Sequence, residues 1–401
     1  MERLYITYAV FGTLSVVLAL MSTRLRQWPV SEPLTAMVLG IALGPQVLGV
    51  VEIGPPLRDP LLLEGSRLLL AVSVMAAALR FPVRDLRGLT PALTVLLVVV
   101  MPLAAAITGA ASLLLGLPMA LALLVGCCLS PTDPVLAASV VSGMPAERDL
   151  PARIRQLLTA ESGANDGLAL PLVGLAVASL LPATTAADAV ARLTWEVLGG
   201  TVIGLLVGGV VGAATQAARS RHSLDPGPDL VLTLLLAVGV LGIARLAATD
   251  GVLAVFVAGL AYNRAVPTSE LGAQDGIDEA VNRYAVLPLL VLLGVVLPWA
   301  EWRAFGPSAV VFVAAVLLVR RLPPVLALAR PLRLGMRDAV FAGWFGPMGV
   351  SAVFYLAYSI DEGVRDPRLF AAGTLVITTS VLAFGVSASP GRQLYARTKH
   401  F

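Results

Sequence analysis

Apolar residues in this chain fall in long continuous blocks, not in the alternating or one-in-three patterns of soluble strands and helices. Thirteen such runs can be read, at roughly 5–22, 34–53, 61–80, 90–115, 118–143, 155–181, 193–217, 229–247, 249–263, 283–301, 307–329, 337–358 and 368–388. A helix crossing a bilayer needs about 20 apolar residues, so the pattern predicts an all-α polytopic membrane protein with about 13 transmembrane helices. The eighth and ninth runs are parted only by Ala248–Gly251.

Two runs are unfit to be straight helices. The fifth contains Ser130-Pro131-Thr132-Asp133-Pro134, and the twelfth contains Gly343-Trp344-Phe345-Gly346-Pro347-Met348-Gly349. Proline removes a backbone donor and clashes with the preceding turn. Unwound backbone at bilayer depth is tolerated only where protein or a polar cavity surrounds it. The two breaks stand seven runs apart, so runs 1–6 and 8–13 read as two inverted repeats in which Pro131 and Pro134 correspond to Gly346, Pro347 and Gly349. Broken helices at matching places in two halves point to a transporter site.

Composition and charge sharpen this picture. Of 401 residues, 58% are hydrophobic and 13% charged, with mean hydropathy +0.88, against roughly 25% charged in a soluble domain. With the N-terminus outside, most of the 28 Lys and Arg residues fall in the inside connections. That bias is the positive-inside rule, and it predicts an odd number of crossings with a cytoplasmic C-terminus. Met1–Leu4 leads into an apolar run with no small-residue cleavage site before Arg24, so the first run reads as a spanning helix and not a signal peptide. Cys127 and Cys128 are adjacent and apolar in context, and His222 and His400 lie in polar segments. None of them builds a disulfide framework or a metal cluster. The acidic inside loop at about 265–282, with Glu270, Asp275, Asp278 and Glu279, reads as a solvated loop.

Ionisable groups at bilayer depth cost about 2.5–3.5 kcal/mol each on insertion scales and are functional candidates by default. Here they are Asp133, Glu161, Asp166, Arg320 and Arg321. In Glu161-Ser162-Gly163-Ala164-Asn165-Asp166-Gly167, Glu161 lies one helical turn from Asn165 and Ser162 one turn from Asp166. Asp166, Ser162 and Thr132 would give the oxygen-rich cluster that a hard cation such as Na⁺ requires, with Asn165 and Asp133 beside them. A carboxylate in the bilayer is costly to leave charged and empty, so it takes up either a proton or a cation, and that competition is exchange. Asp133 has an alternative reading, as the cap of a half-helix N-terminus. Glu161 reads as one half of a buried ion pair with Arg320 or Arg321.

A cation channel or a cation-coupled organic-solute symporter could share such an inverted repeat. The Asn165-Asp166 pair favours exchange over both. Intramembrane enzymes fit poorly: no apolar run carries a histidine and no HExxH is present. The expected class is therefore a transporter without cofactor and without nucleic-acid partner.

At these residues the sequence resembles the monovalent cation:proton antiporter family, in particular its NhaP-like sodium/proton exchangers. Pro131-Thr132-Asp133-Pro134 is similar to the family's TDP motif, Glu161–Gly167 to its ESGxNDG signature, Asp250–Asn263 to a third segment, and Gly343–Pro347 to a GWFGP stretch. Two positions depart from relatives: Met348 stands where many have Arg, and Ser73–Ala78 lacks an acid that some carry. The resemblance implies secondary active exchange of Na⁺, or of K⁺ in the nearest alternative, for H⁺ by alternating access, electroneutral and one-for-one. It implies a homodimer in the plasma membrane. Residues 1–89 and 229–301 would form a dimerisation scaffold, 90–181 and 307–388 a moving core, 193–217 a linker helix and 389–401 a short cytoplasmic tail. It makes Asp166 the carrier of ion or proton, assisted by Ser162 and Thr132, and favours Arg321 over Arg320 as the partner of Glu161.

Overall fold

The computed structural model of this chain describes residues 31–80, 87–181, 185–221, 226–266 and 284–397, with positions 12, 13, 16 and 20. Apart from those four positions, the first apolar run lies outside the described residues. So do His222, His400 and nearly all of the 265–282 loop. All regular structure among the described residues is helical, and each of the other twelve runs contains helix.

In chain order the helices are α1 (Glu32–Leu43), α2 (Pro55–Leu79), α3 (Thr90–Leu115, with a π turn at Leu96–Val100), α4 (Met119–Cys128), α5 (Pro134–Val141), α6 (Gly143–Asp149) and α7 (Ala152–Ala178). There follow α8 (Ala186–Ser220), α9 (Pro226–Leu246), α10 (Gly251–Ala265), α11 (Val286–Val295), α12 (Trp299–Ala304), α13 (Ser308–Val319), α14 (Leu322–Ala327), α15 (Met336–Trp344), α16 (Val350–Asp361) and α17 (Pro367–Arg397). Among the described residues, five stretches are long and apolar enough to cross a membrane: α2, α3, α8, α13–α14 and α17. Of the remaining runs, α7 and α9 are single helices of 27 and 21 residues and the others are shorter or come in pieces; the polar groups collect inside α7 and at the breaks after α4, α13 and α15.

Several boundaries differ from the sequence reading, each for a local reason. The second run stops at Leu43, because Gly44-Pro45 ends α1 and the chain stays irregular to Gly54. The tenth is cut by Pro298 into α11 and α12. The eleventh is interrupted at Arg320-Arg321, ahead of Pro323 and Pro324. Of the expected tail 389–401, the described part is helical, since α17 runs through Pro390 to Arg397; residues 398–401 lie outside the described residues.

Helix packing rests on small residues. Gly200, Gly204, Gly208 and Gly212 recur every fourth residue on α8 and face Asp250, Ala254, Ala258 and Tyr262 along α10; a Cβ on Gly200 would stand 2.7 Å from the Asp250 carbonyl oxygen. With no hydrophobic drive between helices in lipid, close backbone approach at small-xxx-small repeats supplies the attraction. This seam is the most extensive interhelix contact among the described residues. It ties α8, the expected linker, to α10.

The two broken helices cross antiparallel. Cys128 meets Ser359, Asp133 meets Ser351 and Leu136 meets Gly349, so residues ascending on one face residues descending on the other. At the crossing, Asp133 N donates to Pro347 O at 2.8 Å.

Candidate functional site

Two half-helices, α4 and α15, point their C-terminal carbonyls into the crossing. Two others, α5 and α16, point their N-terminal amides into it. Each helix end carries about half a unit charge, so the crossing needs one anion and one cation. Asp133 is the anion. Its Oδ1 accepts Leu136 N at 2.8 Å, capping α5, and its Oδ2 accepts Ser351 N at 3.2 Å, at the start of α16. Arg320 is the cation. Its Nη1 donates to Leu129 O at 2.5 Å, Ser130 O at 3.1 Å and Pro131 O at 3.4 Å, and its Nη2 to Gly346 O at 2.5 Å. Both side chains are buried.

Arg321 turns the other way. It makes a two-armed pair with Glu161, Nη1–Oε1 at 2.5 Å and Nη2–Oε2 at 2.7 Å, and its Nε donates to Ala342 O at 2.9 Å. Both partners are buried, and the parallel fork is the geometry that compensates buried charge.

Asp166 stands apart. It is wholly buried on α7, and neither carboxylate oxygen has a hydrogen-bond partner. Oxygen atoms surround it. Asn165 Nδ2 donates to Thr132 Oγ1 at 2.8 Å, bringing the unwound segment to α7 and leaving Asn165 Oδ1 without a donor. Ser162 Oγ donates to Leu158 O at 2.9 Å, so its lone pairs stay available. The Ser351 hydroxyl, itself unpartnered, lies beside Asp166, and Tyr355 donates its hydroxyl to the Asp166 carbonyl. An unsatisfied buried carboxylate is expensive, and hydroxyl and amide oxygens of the kind that Ser351, Ser162 and Asn165 carry are the donors a hard cation takes. Among the described residues, no group of three or more His, Cys, Asp or Glu could hold a resident metal ion.

The glycines of the signature seat this helix. Gly163 faces Ala77 of α2 and Phe256 of α10, and Gly167 faces Leu253 of α10. The sequence profile of the transmembrane sodium/hydrogen exchangers matches residues 11–391. This chain belongs to the sodium/hydrogen exchanger family. Membership makes it a multi-pass membrane protein of a transporter family. Among its relatives, Na(+)/H(+) antiporter 2 of Zygosaccharomyces rouxii is 33% identical over 88% of this chain and 45% of its own length. The Na(+)/H(+) antiporter of Saccharomyces cerevisiae is 28% identical over 88% of this chain and 37% of its own. The chain thus spans less than half of these two yeast relatives. The K(+)/H(+) antiporter NhaP of Alkalimonas amylolytica is 27% identical over 97% of the chain and 67% of its own length. The exchanger fold is seen in a solved structure too. The sodium proton antiporter MjNhaP1 from Methanocaldococcus jannaschii at pH 8 superposes with a TM-score of 0.80 over 98% of both chains at 16% identity.

In this exchanger-family chain, the sequence-predicted residues Thr132, Asp133, Glu161, Ser162, Asn165, Asp166, Arg320 and Arg321 come together around one crossing, with Pro131, Pro134, Gly346, Pro347 and Gly349 forming its backbone. Thr132 bonds Asn165 and not Asp166. The position without an acid, Ser73–Ala78, packs its small side chains under α7 and α10. Met348 is buried, with its N–H donating to Ser380 Oγ at 2.8 Å. Sequence reasoning missed Ser351, Tyr355 and Ser380. The first two were findable, since Ser351, Tyr355 and Ser359 recur every fourth residue after the second break and so share a helix face.

Proposed function

We propose that this chain is a secondary active transporter that exchanges a monovalent cation, Na⁺ first among them, for H⁺ by alternating access, with Asp166 carrying cation and proton in turn. The observation that carries this reading is the Asp166 carboxylate, buried with both oxygens unsatisfied beside Thr132, Ser162, Asn165 and Ser351. Either a cation or a proton satisfies it, and the two cannot be held together. Asp133 is committed to helix ends by both of its oxygens, which leaves one carrier and favours electroneutral one-for-one exchange. The relatives named as Na⁺/H⁺ antiporters favour Na⁺. The relative named as a K⁺/H⁺ antiporter makes K⁺ the second reading.

The same proposal covers the assembly: a homodimer in the plasma membrane, N-terminus outside, C-terminus cytoplasmic. Residues 1–89 and 229–301 act as the scaffold and 90–181 and 307–388 as the moving core. The glycine seam of α8 against α10 supports counting the linker helix with the scaffold.

The test is reconstitution in proteoliposomes with an imposed pH gradient, adding Na⁺, K⁺ or Li⁺ separately and following lumenal pH. The wild-type protein should collapse the gradient with at least one cation, and Asp166→Asn should lose that flux. A wild-type protein inert to all three, or an Asp166→Asn variant as active as wild type, refutes the assignment.

A further inference from the structure

Two more carboxylates are buried with one oxygen spare. Asp250 uses Oδ1 to cap α10, accepting Val252 N at 2.9 Å and Leu253 N at 3.0 Å, while its Oδ2 has no partner. Glu196 on α8 accepts Arg192 Nε through Oε1 at 2.8 Å, and its Oε2 has none. The two residues are neighbours: Asp250 N donates to Glu196 O at 3.1 Å. Asp250 borders a small cavity enclosed by α2, α7, α9, α10 and α16, with Arg67, Leu170, Arg245 and Tyr358 in its wall.

Two helices independently fix where this cavity lies. Leu170 is one turn beyond Asp166 on α7, and Tyr358 is one turn beyond Tyr355 on α16. A turn is about 5.4 Å, so the cavity lies directly above the carrier, on the side the proposed topology makes exterior. Tyr355 links the two levels. Its hydroxyl donates to the Asp166 carbonyl, and it lies within electrostatic reach of both Asp166 and Asp250.

We propose that Asp250, assisted by Glu196, is a proton-relay residue on the exterior route to Asp166. The inference rests on the exchange reading above. Asp250 Oδ2 takes a proton from the exterior solution and becomes the acid. It then gives that proton, by way of the cavity that the Tyr358 hydroxyl borders, to the Asp166 carboxylate and returns to the anion; no other bond changes. The ligand is H⁺ and not the metal cation, because two guanidinium groups border the cavity. The charged and titratable groups around Asp250 are Glu196 from α8, Arg245 from α9, Arg67 from α2, and Tyr355 and Tyr358 from α16, with Tyr355 standing between it and the carrier on α7.

The experiment measures exchange in right-side-out and inside-out vesicles, varying exterior and interior pH separately, for wild type, Asp250→Asn, Asp250→Glu and Glu196→Gln. Asn keeps the Oδ1 acceptor that caps α10. Asp250→Asn should lower the rate about tenfold, below the roughly hundredfold that a positioned acid–base group contributes in catalysis, because Glu196 remains beside it as a second buried carboxylate with a spare oxygen. It should displace the exterior pH profile and leave the interior profile and the cation KM unchanged. Asp250→Glu should restore the exterior profile. An exterior profile identical to wild type overturns the relay, and so does a raised cation KM with both profiles altered. Should Asp250→Asn fail to fold, Glu196→Gln decides: a smaller exterior-only displacement supports the relay and an unmoved profile overturns it. A wild-type protein without cation-driven proton flux sinks the exchange reading and the relay with it, whereas an active wild type with an unaltered variant sinks the relay alone.

Discussion

Neighbouring arginines at 320 and 321 serve different partners. Arg320 closes α13 in helical conformation, φ −52° and ψ −45°, whereas Arg321 departs from it at φ −125° and ψ −41°. One side chain therefore enters the crossing while the other reaches Glu161. Removing one partner of a buried pair costs about 3–5 kcal/mol. Arg321→Ala also strands the Ala342 carbonyl that its Nε satisfies, so it should lower thermal stability in detergent more than Glu161→Gln. A fluorescence-monitored melt gives the order, and the reverse order contradicts this account. The apolar run by itself left both arginines available to Glu161, and only the family resemblance favoured Arg321, which is the one that pairs with it. Neighbouring positions on one apolar run say nothing of a helix break between them, and that break separates their roles. Asp133 was legible in outline, because an acid before proline and an apolar run is a helix cap by its position. That it also serves α16 depends on a contact across the molecule.

At the level of helices, the proline and glycine clusters announced both central interruptions, since neither can continue a helix without loss. Their correspondence between halves was expected, but what neutralises the place where they cross could not be read from either segment alone. Arg320 supplies that. Deleting its guanidinium leaves the Leu129, Ser130 and Gly346 carbonyls unpaired in the protein interior, at about 1–3 kcal/mol for each group. Arg320→Ala should therefore be among the most destabilising single changes in the chain. Arg320→Lys should recover only part of the loss, because an ammonium lacks the planar fork that spans two helix ends. Thermal melts of both variants beside wild type measure this, and a lysine variant as stable as wild type would contradict it. The four-residue glycine repeat on α8 was present in the sequence but hidden by its own regularity. In a run of Gly, Val and Leu it reads as ordinary membrane helix until the facing helix is known.

Across the whole molecule, α8 is held to the turn after α16, at the end that the proposed topology makes exterior. Arg192 Nη1 and Nη2 donate to Glu362 Oε2 and Oε1 at 3.0 and 2.8 Å, and Nη2 reaches the Tyr358 hydroxyl at 3.3 Å. The Arg192 guanidinium holds the Glu362 carboxyl below its usual range. A depressed carboxyl stabilises the folded form above its unfolded value of about 4.3, and that contribution is lost as pH falls through the lower folded value. Glu362→Gln should therefore flatten the acid limb of the stability profile by less than about 1 kcal/mol, since the pair is partly exposed and screened. Melting temperatures between neutral and strongly acidic pH, wild type against variant, are the measurement; parallel profiles would mean that the pair contributes nothing. The charges of the interior carry a further consequence. Asp133 balances Arg320 and Glu161 balances Arg321, so on the exchange proposed above a loaded Asp166 would leave the proposed moving core with no net charge at depth. Membrane voltage performs about 2.3 kcal/mol of work per unit charge for each 100 mV, and it then finds nothing to act on during either loaded passage. On the exchange proposed above, only the empty Asp166, with its bare carboxylate, would feel the field.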